Sequence, residues 1–178
     1  MNHITSEPSL QLPPVRLRAM ELEDLSTLYD IENDTSLWDV TDTNVPYSRA
    51  ILLDYLSSAR NDIFADKQVR LMAENREGSV VGIVDVVNFE PRHQRAEVGI
   101  VVAPAFRKRG YAKAILRQTI DYCRNIVGLH QLYSVIPEDN KASLRLFQHA
   151  GFTYETVLKD WIKWGKNYKN AYLMQLFL

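Results

Sequence analysis

A chain of 178 residues with 46% hydrophobic content has the size and composition of one globular domain with a sizeable core. Its formal net charge of -1 argues against general nucleic-acid binding, and no apolar run approaches the length needed to span a membrane. A single cysteine, Cys123, excludes an intrachain disulfide framework and suits a reducing compartment.

Residues 1–14 set Pro8, Pro13 and Pro14 among polar residues, without the basic and apolar regions of a signal peptide, and read as a flexible leader to a cytoplasmic protein. A strand is expected near 15–19, then two amphipathic helices over about 21–33 and 48–59, joined by a loop from Asp34 to Val45. Strands near 69–75 and 79–89 flank Glu77-Gly78, a tight-turn signal, and a third runs over 95–102. Its apolar end, Val98 to Val102, stops before Pro104, and Gly110 opens a segment with helical apolar spacing at Ala112, Ile115, Leu116, Thr119, Ile120 and Cys123. That spacing reads Cys123 as buried packing rather than a nucleophile. A strand near 131–136, a short helix over 141–149 and strands near 152–161 and 168–177 complete a mixed α/β sheet with helices against it, in one domain over 15–178.

The chemistry concentrates where the strand ending at Val102 meets the helix opened by Gly110. The first helical turn offers unpaired N–H groups, the helix dipole is positive there, and Arg107, Lys108 and Arg109 add charge, so the turn favours a phosphate. Gly110, without a Cβ, lets the backbone come close to a ligand. Asn140 is a good N-cap for the helix over 141–149, with Leu144, Phe147 and Ala150 on one face and Gly151 able to take the left-handed conformation that ends it. Its side chain can serve the cap or a ligand amide. Between Met20 and Asp66 stand eleven acidic residues against Arg49 and Arg60, whereas basic residues gather near Arg92 to Lys113, a division that suits an anionic ligand on one side and a cationic one on the other. For each single carboxylate the simpler reading is a solvated helix face.

Arg107-Lys108-Arg109-Gly110-Tyr111-Ala112 and the Asn140 helix ending in Gly151-Phe152, about thirty residues apart and in this order, together resemble the GNAT N-acetyltransferase superfamily. Val15-Arg16-Leu17-Arg18, the stretch from Val86 to Glu97, and Gly165-Lys166-Asn167-Tyr168-Lys169-Asn170-Ala171 before the last strand are similar to its spermidine and diamine branch; ribosomal-protein acetyltransferases share much of this layout. The resemblance implies a mixed, mostly antiparallel sheet flanked by helices, acetyl-CoA as co-substrate, an amine acceptor, no nucleic-acid or membrane partner, and a homo-oligomer. It assigns the cofactor to main-chain groups of Ile100, Val101 and Val102, to the turn Arg107, Lys108, Arg109, Gly110, Tyr111, Ala112 and Lys113, and to Asn140 and Phe147. The branch usually carries tyrosine at the position of Phe147, to protonate the leaving thiolate; a phenyl ring can pack on the pantetheine arm but donates no proton. Tyr111, Tyr133, Tyr168 or water are the replacements available.

An amine with an ordinary pKa of about 10 must shed a proton before it can attack a thioester. Glu97 is the candidate base, directly or through water, with a carboxylate paired to Arg95 or Arg92 as the alternative. Trp38 and Asp39 in the loop between the first two helices are the candidate acceptor contacts, although Trp38 also fits packing, and Trp161, Trp164 and Tyr168 could wall an acceptor or serve as packing or dimer contacts. His3, His93, His130 and His149 have no metal-ligand spacing, and Ser134 and Ser143 no triad partners. The expected activity is direct acetyl transfer to a polyamine-like amine, with a protein N-terminus or ribosomal-protein amine as the second acceptor class and a non-catalytic acyl-CoA sensor as the alternative from another class.

Overall fold

The computed structural model describes residues 12–35, 45–60 and 62–178. Seven strands form one sheet in the order β1-β2-β3-β4-β5-β7-β6: β1 Arg16–Ala19, β2 Val69–Glu74, β3 Val80–Glu90, β4 Arg95–Val102, β5 Gln131–Pro137, β6 Thr153–Trp164 and β7 Asn167–Phe177. Among the described residues only β4 and β5 run parallel. The helices are α1 Leu25–Glu32, α2 Arg49–Ser58, α3 Ile63–Asp66, α4 Tyr111–Tyr122 and α5 Lys141–His149.

Two-residue alternation along the strands builds a core on each face. On one face Val69, Leu71, Val84, Val86, Ala96 and Val98 pack with Ile115, Leu116 and Ile120 of α4 and Leu144 and Phe147 of α5. On the other, Met72 and Ile83 meet Leu28 and Ile31 of α1 and Leu52 and Leu56 of α2. The expected fold class holds, and so does the Glu77-Gly78 hairpin: Gly78 sits at φ +79 while the Asn75 side chain accepts from the Glu77 and Ser79 amides.

Several boundaries differ from expectation. The first helix starts as a 3-10 turn, Leu22–Asp24, because Asp24 is drawn onto Arg18 and also accepts from the Glu21 amide at 2.9 Å. The last hairpin turns later than expected: β6 runs on to Trp164 past a bulge with Asp160 at φ +49, so that Asn167–Ala171 is strand rather than a segment preceding it. The stretch Ile63–Asp66, which carries no apolar repeat, is one helical turn capped by Asp62. Of the expected leader, residues 1–11 lie outside the described residues, while Leu12 and Pro13 are half-buried.

The acid-rich region contains paired carboxylates. Arg18 clamps Asp24 through two bonds of 2.7 and 2.8 Å, and Arg70 holds Asp85 and Glu32 together. Arg18's hydrogen bonds lower the Asp24 pKa against the opposing effect of burial. Because that pKa lies below its unfolded value, the pair stabilises the fold above the usual carboxylate range and loses this contribution as pH falls through the folded-state pKa. Asp24→Asn should therefore cost on the order of 2–3 kcal/mol at neutral pH, less than for a fully buried pair since the Arg18 side chain is 22% exposed. In denaturant titrations the gap between variant and parent should close below about pH 4.

Candidate active site

β4 and β5 pair only at Arg95↔Gln131, Ala96↔Leu132 and Glu97↔Tyr133, and then part. Each stays with its outer neighbour as it does so, β4 with β3 to Val102 and β5 with β7 to Pro137. The register shows which groups face the opening. The Ala103 amide donates to the Val81 carbonyl, so odd-numbered β4 residues bond to β3 while Ile100 and Val102 turn their N–H and C=O the other way. Val101, expected among the main-chain contacts, is thus committed to β3 and lends the cleft no backbone group. On β5 the His130 and Glu138 bonds to β7 set the opposite parity, leaving Val135 turned toward β4.

The basic turn stands at the end of this cleft. Arg107 Nε donates to the Val102 carbonyl at 3.1 Å, tying the turn to the strand end. Lys108 and Gly110 both take left-handed φ values, +59 and +85, which curl the chain into the start of α4. The Arg109 guanidinium lies 5.5 Å from the Phe106 ring centroid and 5.7 Å from that of Tyr111. Arg107, Lys108, Arg109 and Lys113 are exposed and Ala112 half-buried, but the Tyr111 side chain is buried, so Tyr111 has only its amide to offer a ligand. At Gly110 a Cβ would come 3.1 Å from Pro13 Cδ, a contact that glycine alone leaves open.

Asn140 resolves its two readings in part: Oδ1 accepts from the Ser143 amide at 3.1 Å and caps α5, and no bond from Nδ2 is formed among the described residues. Phe147 is 3% exposed and packs edge-to-face on Phe152, with ring centroids 4.9 Å apart. Its ring belongs to the core, which corrects its expected place on the cofactor arm.

Glu97 stands where β4 and β5 part, on the face of the sheet shared with α1 and α2. Its Oε2 accepts from Asn88 Nδ2 at 2.9 Å, and among the described residues no arginine lies within ion-pair distance, so the Arg95 and Arg92 pairings are not formed. Tyr133 is its register partner on β5. Burial, and next the Glu97 charge, raise the Tyr133 pKa, while the Asn88 amide draws it down. Of the three tyrosines considered as the missing acid, Tyr133 alone is beside Glu97; Tyr111 is buried and Tyr168 is exposed on the last hairpin. Asn88 was not legible as a site residue, since it reaches Glu97 only through a β3 bulge. Trp38 and Asp39 lie outside the described residues. Trp164 has Lys169 3.4 Å over its ring and Trp161 is exposed. Burial pushes the Cys123 thiol up to about 12, so it holds no thiolate at neutral pH. Among the described residues no group of three metal-ligating side chains converges.

Residues 15–153, which hold the parted strands and the basic turn, match a family model described as the acetyltransferase (GNAT) domain. The chain belongs to the GNAT acetyltransferase family. Among its relatives, the spermidine N(1)-acetyltransferase of Escherichia coli K12 is 26% identical over 171 residues, covering 92% of this chain and 86% of that protein. A solved structure of Vibrio cholerae spermidine N-acetyltransferase in complex with CoA and spermine superposes with a TM-score of 0.81 at 23% identity, covering 92% and 95% of the two chains. A dodecameric structure of the same Vibrio enzyme gives 0.76 at 24% identity, over 92% and 93%. In this GNAT chain the phosphate-favouring turn and the open strand edges thus occupy one continuous surface. Replacing Lys108 and Arg109 together by alanine should weaken CoA binding about tenfold and flatten its salt dependence, as read by calorimetry at low and high salt.

Proposed function

We propose that this chain is an acetyl-CoA-dependent N-acetyltransferase whose acceptor is the primary amine of a polyamine-like small molecule, attacking directly in a ternary complex. The observation that carries it is the cleft between β4 and β5, with a phosphate-favouring turn at one end and a carboxylate at the other. The N–H groups of Ile100, Val102 and Val135 suit a pantetheine chain with its acyl carbonyl, and the turn from Arg107 to Lys113 suits the pyrophosphate. Asn140 Nδ2, unbonded among the described residues, suits a ligand carbonyl. Glu97 takes the ammonium proton, the amine nitrogen attacks the thioester carbon, and the thiolate departs. With Phe147 in the core, its proton comes from Tyr133 or water, and the second N–H proton of the acylated nitrogen restores that donor. Cys123, buried and protonated, leaves a covalent acetyl-enzyme without a thiol.

The acceptor class rests on the named relatives. Asp24, Glu32, Asp66 and Asp85 are already paired with arginines, so the acceptor's charge must be met mainly elsewhere on the α1–α2 side, where Asp39 remains a proposed contact together with Trp38. A peptide or ribosomal-protein amine is the second acceptor class. Self-association belongs to the same reading, on the dodecameric relative and on Val157, Trp161 and Trp164, which the edge strand β6 leaves exposed; the mass in solution decides it. A lone thiol and acetyl-CoA both suit the cytoplasm, and no helix among the described residues is long and apolar enough to cross a membrane.

Incubation with acetyl-CoA and spermidine should give CoA thiol and a product heavier by one acetyl group. Glu97→Gln should lower kcat by about 100-fold or more with little change in the KM for acetyl-CoA. Tight CoA binding without turnover on polyamines, diamines or peptides would make the protein a sensor instead.

A further inference from the structure

We propose that Asn88 is a positioning residue for Glu97, its amide fixing the carboxylate at the head of the cleft so that one oxygen stays free to take the amine's proton. The inference rests on the reading of Glu97 as base and extends it to a residue on a neighbouring strand.

The geometry is built by an irregularity. β3 and β4 pair regularly as far as Val87↔Glu97, and the register then shifts before Glu90↔Arg95. Asn88 lies in that shift, at φ +51, a left-handed conformation that asparagine tolerates better than most side chains and that costs other non-glycine residues about 1 kcal/mol. Regular pleating would set Asn88 and Glu97 on opposite faces, since Val87 is the residue opposite Glu97. The bulge instead turns the amide toward the carboxylate, where Nδ2 donates to Oε2 at 2.9 Å. A strained residue whose amide meets an otherwise unpaired carboxylate and the neighbouring Tyr133 is the kind of feature that function explains better than folding does.

Chemistry supplies the reason. Glu97 makes no ion pair among the described residues, and an unanchored side chain would sample several rotamers. The Asn88 donor selects one of them and occupies Oε2, leaving Oε1 as acceptor. Tyr133 stands beside the pair, and because burial and the Glu97 charge raise its pKa it is protonated when the amine arrives and adds no competing charge. A cavity of about 330 Å³ adjoins the cluster, lined by Lys67, Asn88, Glu90, Arg95 and Tyr133 among others. Its polar walls and its size suit several water molecules. In the reaction an N–H bond of the ammonium breaks, its proton passes to Oε1 and the freed lone pair forms the C–N bond. The acylated nitrogen gives up a second N–H proton as the C–S bond breaks; of the two protons the nitrogen has lost, the thiolate takes up the equivalent of one and the other is released, and the cavity gives it a way to solvent.

Asn88→Gly removes the amide while relieving the left-handed backbone, and Asn88→Asp keeps the shape but sets a second carboxylate against the first. Each is measured alone and with Glu97→Gln, by melting temperature and by kcat and KM for acetyl-CoA and spermidine. Asn88→Gly should keep its fold and its KM for acetyl-CoA and lose about tenfold in kcat, the size of one hydrogen bond to a charged group; Asn88→Asp should lose more. Neither should reduce kcat further once Glu97 is Gln. A kcat within twofold of the parent in Asn88→Gly, with Glu97→Gln impaired, overturns the positioning role and leaves the base intact. The same result for Glu97→Gln itself overturns the base and this inference with it. Equal losses from Asn88→Gly in the presence and absence of the Glu97 carboxylate would show that Asn88 acts on something else.

Discussion

Buried backbone N–H and C=O groups must find partners, and β4 and β5 supply one another's only over three register pairs before they separate. Beyond Glu97 and Tyr133 each strand is held by its outer neighbour, so the inner edges of Ile100, Val102 and Val135 keep their hydrogen-bonding groups for something that is not strand. The cleft is kept open by its surroundings. β3 grips β4 closely at Gly82, where a Cβ would come within 2.3 Å of the Val101 carbonyl oxygen, and β7 carries β5 away along a ladder that continues to Ala171. Each strand thus keeps an antiparallel ladder on its outer side while its inner edge faces the cleft.

The ends of the cleft follow from the same arrangement. The last carbonyl of β4, facing the opening, holds Arg107 and so fixes where the basic turn begins. At the other end, Glu97 and Tyr133 occupy the last paired register, on the face toward α1 and α2. An anionic ligand laid along the edges would have its phosphates at α4 and its far end at the carboxylate. A cationic acceptor would approach from the opposite face of the sheet, past the α1–α2 side. Arg18 and Arg70 neutralise carboxylates there, which makes much of the acidic excess structural rather than recognitional.

What the sequence disclosed was what local chemistry encodes. The strand stop before Pro104, the Arg107–Ala112 turn, the Asn140 cap and the two helical apolar stripes of α4 and α5 each depend on neighbours a few positions away, and each appears as expected. Most of the misses are long-range. Nothing local tells that Val101 spends its main-chain groups on β3, that Phe147 is closed off by Phe152, or that a bulge carries Asn88 onto Glu97. Asp160 at positive φ likewise lets β6 continue where alternation alone gave an end near residue 161. The pairing of Asp24 with Arg18 and of Glu32 with Arg70 could not be told from a solvated helix face, because the arginines come from strands.

The central claim is that the inner edges of β4 and β5 are the ligand's hydrogen-bonding partners, and residue-resolved amide hydrogen exchange with and without CoA tests it most directly. The account predicts that CoA slows exchange at Ile100, Val102 and Val135 and leaves Val101, already bonded to β3, unchanged. Protection confined to α4, or spread equally over Val101, would contradict it.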